Sequence, residues 1–289
     1  MSIKLKFLEQ LKDGFRGKPD FSSLLHNIFK IDDFVISFEC PDNIFEGAVY
    51  EDKIELKNFD INSVKEDLDS IIKLAYVNFS FSRAIFNPIA PVNKQGDLFV
   101  RLGIKSIDSY VKTTEQLSDY LEKESFDFYH DPNPSSDSKR GYHTELMKKF
   151  IKRANRQWGE SPESEEMISE KRQYLIDGFY RGYPPIKCKN VKIGKHTFSK
   201  YLEGSLKYKG EFSRVYNLII KDGFCLSIEF WYATQYGYPQ KKFLKWIERA
   251  DETFEKEVLE RLEISNCIDS KLEKKVDIIT QNINLYEIF

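Results

Sequence analysis

A chain of 289 residues is about twice a typical domain, and its 41% apolar and 15% aromatic content, with 23 Phe and 16 Tyr, suffices for two packed cores. The formal net charge of −2 excludes a generally basic nucleic-acid binder and leaves only local patches. Cys40, Cys188, Cys225 and Cys267 form no C-x-x-C pair, so neither a zinc signature nor a disulfide framework is present and buried, reduced thiols are expected. No apolar run nears the ~18 residues of a bilayer span, and Met1 to Lys6 lacks a signal-peptide core. A cytoplasmic chain with no membrane or nucleic-acid partner is the expectation.

In chain order, residues 3–15 fit a short amphipathic helix, and Phe34 to Phe38 and Ile54 to Phe59 read as strands. Ser63-x-x-Glu66 fits a capping box opening a helix whose stripe is Val64, Leu68, Ile71, Ile72 and Ala75. Val77 to Phe86 and Leu98 to Ile104 read as strands, and Thr113-x-x-Gln116 opens a helix burying Leu117, Tyr120 and Leu121. Residues 128–141 have almost nothing to bury and read as a linker.

Two helices are expected next. One runs over 144–158 with Leu146, Met147, Phe150, Ile151 and Ala154 inward, and one starts at Ser161-Pro162-Glu163 and ends before Pro184. Strands then recur at 191–193, 197–202 and 206–208. Phe212 to Ile220 and Phe224 to Tyr232 flank Asp222-Gly223, a strong hairpin signal read as a type I′ turn. A helix over 239–262 buries Phe243, Ile247, Ala250, Phe254, Val258 and Leu262, while the end of the chain fits either strand or helix. The expected class is α+β: two modules of mostly antiparallel sheet with packed helices, joined by a helical pair. The boundaries fall at 1–128, 129–185 and 186–289.

Catalytic motifs are missing: there is no G-x-S-x-G elbow, phosphate-cradling glycine loop or H-E-x-x-H. His130 and His143 bracket the linker beside Asp131, which reads either as solvated histidines or as an acid–base or metal pair for a hydrolase or metal-dependent nuclease. From Lys139 to Trp158 seven bases face the single acid Glu145, with Lys149, Arg153 and Arg156 on one helical side. The following Glu160, Glu163, Glu165, Glu166 and Glu170 invert the sign. Either the two helices neutralise each other, or the basic side docks an acidic protein partner or, as a lesser alternative, phosphates. The segment Trp231 to Pro239 reads as an aromatic loop, folded on the core or exposing Trp231 and Tyr236 for binding.

A strand, an Asp-Gly turn, an aromatic-ended second strand and a helix around Phe243-Leu244-x-Trp246-Ile247 together resemble the PsbP-like α/β fold over about 189–262. That fold occurs in some immunity proteins paired with type VI secretion toxins, and it brings no catalytic residues. The resemblance implies a non-enzymatic immunity protein that occludes a toxin or effector, with no cofactor or metal. Lys149, Arg153, Arg156, Trp231 and Tyr236 are the expected contacts.

Overall fold

Alternation of apolar and polar residues through the Asp222-Gly223 hairpin builds the centre of a six-stranded antiparallel sheet. The structure, a computed structural model, describes residues 24–41, 54–58, 72–83, 93–205, 211–234 and 241–266. Its strands are β1 (Leu24–Ile31), β2 (Phe34–Pro41), β3 (Ile72–Arg83), β4 (Asn93–Ser106), β5 (Lys189–Ile193), β6 (His196–Gly204), β7 (Glu211–Lys221), β8 (Phe224–Thr234) and β9 (Glu263–Asn266). The large sheet runs β3-β4-β8-β7-β6-β5 and the small one β1-β2-β9. Helices are α1 (Thr114–Tyr129), α2 (Tyr142–Trp158), α3 (Glu165–Arg181) and α4 (Lys241–Phe254), the last continuing into a π-helical turn over Glu255–Leu259.

Phe224, Leu226, Ile228, Phe230 and Tyr232 share the inner face of β8, and all but the partly buried Phe224 are fully buried. Against them lie Ile247, Ala250 and Phe254 of α4 and Phe29, Ile36 and Phe38 of the small sheet, in one continuous core. Two polar clusters tie α4 and its π turn to this face. Asp251 receives the Tyr232 hydroxyl and the Arg214 guanidinium, and Glu255 receives the Tyr216 hydroxyl and Lys200, the latter at 2.7 Å. On the outer face α1 lays Leu117 and Leu121 against Cys225, Val111 and Ile186.

The α+β class with antiparallel sheets and packed helices is as expected. The sheets, however, mix the expected segments: β4 pairs with β8 from Gly96↔Thr234 to Ser106↔Phe224, and β2 pairs with β9. The capping box at Thr113 forms: Gln116 N–H donates to the Thr113 hydroxyl at 3.3 Å, and Thr113 N–H donates to the Gln116 side-chain Oε1 at 3.2 Å.

Several local expectations are corrected. Ile72 and Ala75, placed on a helix stripe, belong to β3, because a nearly continuous apolar run carries no period that separates helix from strand. Ile54 makes only an isolated bridge to Ile31, and Leu56–Asn58 is a 3-10 turn whose Leu56 N–H is captured by Asp32 Oδ1 at 3.0 Å. In the hairpin turn only Gly223 takes positive φ (80°), so the geometry is not type I′. Helix α3 starts at the Ser164 cap rather than at Ser161. Ile151 is exposed, and Trp231 to Thr234 extend β8 rather than forming a loop. The expected elements at 3–15, 63–71 and 206–208 lie outside the described residues.

Residues 130–140 form an organised loop. Ser135 N–H donates to Arg140 O at 3.1 Å, Gly141 N–H donates to Phe128 O at 2.8 Å, and Asp131 and Ser135 cap local amides. Gly141, at φ 69°, lies so close to Pro134 that a Cβ would meet its Cα at 2.7 Å.

Candidate partner-binding face and outer-sheet cleft

Helices α2 and α3 run antiparallel: His143 meets Gly182, Phe150 meets Gly178 and Trp158 Nε1 donates to Glu170 at 2.9 Å. Phe150 and Ala154 are buried in this seam, which turns the opposite side of α2 to solvent. Lys149, Lys152, Arg153 and Arg156 are all exposed there. Among the described residues none of the four makes an ion pair; the one ion pair on the helix is Lys148 with Glu145 at 3.1 Å. Among the described residues no acid of α3 ion-pairs with these four: Glu170 accepts from Trp158 at 2.9 Å, and Lys171 folds back onto the carbonyls of Gly159 and Glu160 at 2.7 and 3.0 Å. An open apolar groove of Met147, Ile168, Leu175, Ile176 and Phe179, with Ile168 51% exposed, is formed mainly by α3 and is lined by none of the four α2 bases.

The two histidines are brought together, with ring centroids 4.5 Å apart, but inside an aromatic stack. His130 lies flat on Phe126 at 4.5 Å and His143 meets Phe179 edge-on at 5.0 Å. His143 is buried, and desolvation, with the neighbouring His130 charge adding to it, lowers its pKa to about 4. Asp131 turns elsewhere, accepting Asn133 N–H at 2.8 Å and facing Arg140 at 3.7 Å. Among the described residues no three His, Cys, Asp or Glu side chains cluster to hold a metal.

Trp231 sits on the outer face of β8, stacked on Phe99 at 4.8 Å with the Arg101 guanidinium 5.0 Å from its ring. Tyr236 lies outside the described residues. Trp231 therefore belongs with a different set of residues from the α2 bases.

Arg101, but not Trp231 itself, lines a cleft of about 720 Å³ between the outer sheet face, the second half of α1 and the 136–139 loop. Strand register lays its floor in rows. Tyr201, Val215, Glu229, Arg101 and Tyr76 are successive cross-strand neighbours, and so are Ser199, Asn217, Ser227, Gly103 and Lys73. Glu229 is held by Ser213 Oγ at 2.7 Å and by Arg101 at 3.5 Å. Glu203 is partly buried at the far end; desolvation raises its pKa, against a hydrogen bond from Tyr129 that favours the anion. Burial likewise raises the Tyr129 and Tyr201 hydroxyls.

Single-sequence reading sees these positions only as the wet face of alternating strands. Arg101 and Glu229 are 128 residues apart and become neighbours only through β4–β8 pairing.

Among the described residues no helix is long and apolar enough to cross a membrane. Comparison with known proteins finds no family model, curated protein or solved structure that matches the chain.

Proposed function

We propose that the chain is a binding protein that docks an acidic protein partner on the basic side of α2. One observation carries this reading: Lys149, Lys152, Arg153 and Arg156 stay exposed and unpaired among the described residues, although an acid-rich helix packs beside them. A single-sign patch of this kind speeds and orients association with an opposite patch. The resemblance of residues 189–262 to PsbP-like immunity proteins supports a finer version. In that version the partner is a toxin or effector met in the cytoplasm, and the chain neutralises it by covering its active site without chemistry of its own.

The test is affinity capture from the native host with the natural chain and with Lys149→Glu, Arg153→Glu, Arg156→Glu. A stoichiometric acidic partner, lost on charge reversal and weakened by salt, is the expected result. A partner that the triple variant retains, or none with either form, overturns the assignment.

A further inference from the structure

The cleft on the outer sheet face shares no residue with the α2 surface, and its charges are distributed unevenly. Its acids are already engaged: Glu229 by Ser213 and Arg101, Glu124 by the Tyr120 hydroxyl at 2.9 Å, and Glu203 by Tyr129. Asp137, at the rim, accepts from Ser136 Oγ at 2.8 Å. Two of the cations make no ion pair among the described residues: Lys73 of β3 and Lys105 of β4 line the cleft, the Lys105 charge acting at longer range on Glu203. Register makes them diagonal neighbours: Lys73 lies opposite Gly103, and Lys105 follows two residues on along the same face. Their Cα atoms are therefore about 7 Å apart, a span that one tetrahedral or planar acid group bridges. Gly103 between them has no side chain to separate the two lysines. Ser227, its partner on β8, and Ser125 on α1 place hydroxyls along the same part of the cleft.

We propose that this cleft is a binding site for a small polar anion, with its phosphate or carboxylate group between Lys73 and Lys105 and its hydroxyl-bearing body toward Glu203, Tyr129 and Glu229. Lysine suits the acid end because an ammonium acts as a point charge that accepts either anion. The opposite end presents carboxyl and phenol oxygens, which take hydroxyl donors and repel a second acid group. A volume of about 720 Å³ holds a molecule of roughly monosaccharide to disaccharide size. Desolvation keeps Glu203 toward its neutral form and so lessens the repulsion that an incoming anion meets.

Titration calorimetry of the full chain with inorganic phosphate, glucose 6-phosphate and glucuronate separates the two acid groups and measures what the body adds. The expected result is that glucose 6-phosphate or glucuronate binds more tightly than phosphate alone. Binding should weaken about tenfold or more in Lys73→Gln/Lys105→Gln, a loss of about 1.4 kcal/mol. The exposed Lys73→Gln single variant carries the test should the double variant fold poorly. Lys149→Glu/Arg153→Glu/Arg156→Glu should bind the same probe as the natural chain does, which separates the cleft from the α2 surface. The proposal is overturned if no probe binds at about 10 mM, if the lysine variants bind unchanged, or if the α2 variant loses binding equally.

Discussion

His143 shows what one side chain costs when the seam around it is dry. Gly182 lies so close that a Cβ there would meet His143 Nδ1 at 2.2 Å, and that nitrogen has no hydrogen-bond partner among the described residues. A neutral imidazole tolerates this place; an imidazolium beside His130 does not, hence the pKa of about 4. Because the folded value lies below the unfolded one, the unfolded chain takes up the proton first as pH falls. The contribution of His143 is therefore fully present above pH ~6.5, is lost as pH falls toward 4, and falls no further below that, a total of about 3 kcal/mol. Urea unfolding of the natural chain and of His143→Gln at about pH 7, 5.5 and 4.5 isolates this term, since the carboxylates contribute equally to both. The natural chain should lose stability faster than the variant over that range; parallel curves would show that the ring titrates normally.

At the scale of elements, the α2–α3 pair depends on a close approach at Gly178, where a Cβ would lie 2.4 Å from Phe150 Cδ1. Alanine at a helix interior gains about 1 kcal/mol over glycine. Overpacking a buried aromatic costs about 1–3 kcal/mol, so the clash outweighs the propensity. Gly178→Ala should thus destabilise by up to about 2 kcal/mol, and adding Phe150→Leu should return part of that loss in a thermal melt. The period-3.6 stripe of α2 was readable in sequence at Phe150 and Ala154. Exposed Ile151 was not, because an apolar residue beside the stripe looks the same whether its side of the helix is covered or open. The basic side of α2 was also legible, whereas its lack of ion-pair partners among the described residues depends on tertiary placement and could be seen only in the structure.

For the molecule as a whole, the hairpin, the Thr113 cap and the α4 stripe were legible because each is a local pattern. The cleft was not, since Lys73, Arg101, Tyr201 and Glu229 reach one surface only through pairing between distant strands. That pairing also bears on whether residues 186–289, which read as a separate module, can fold alone. Without the preceding chain, β8 loses β4, whose Leu98, Val100, Leu102 and Ile104 lie opposite Tyr232, Phe230, Ile228 and Leu226. All four lost side chains are at most 2% exposed. At about 1.5–3 kcal/mol each they account for about 6–12 kcal/mol, comparable to the whole stability of a typical domain. The fragment would also lose α1 from its outer face and the β2 partner of β9, leaving an apolar strand edge open to pairing with other chains. Residues 186–289 expressed alone should therefore aggregate or melt without cooperativity. The full chain should unfold in one transition, seen alike by far-ultraviolet circular dichroism and by the fluorescence of Trp158 and Trp231 on different elements. A cooperative melt of the isolated fragment would show instead that β4 adds to a unit already complete without it.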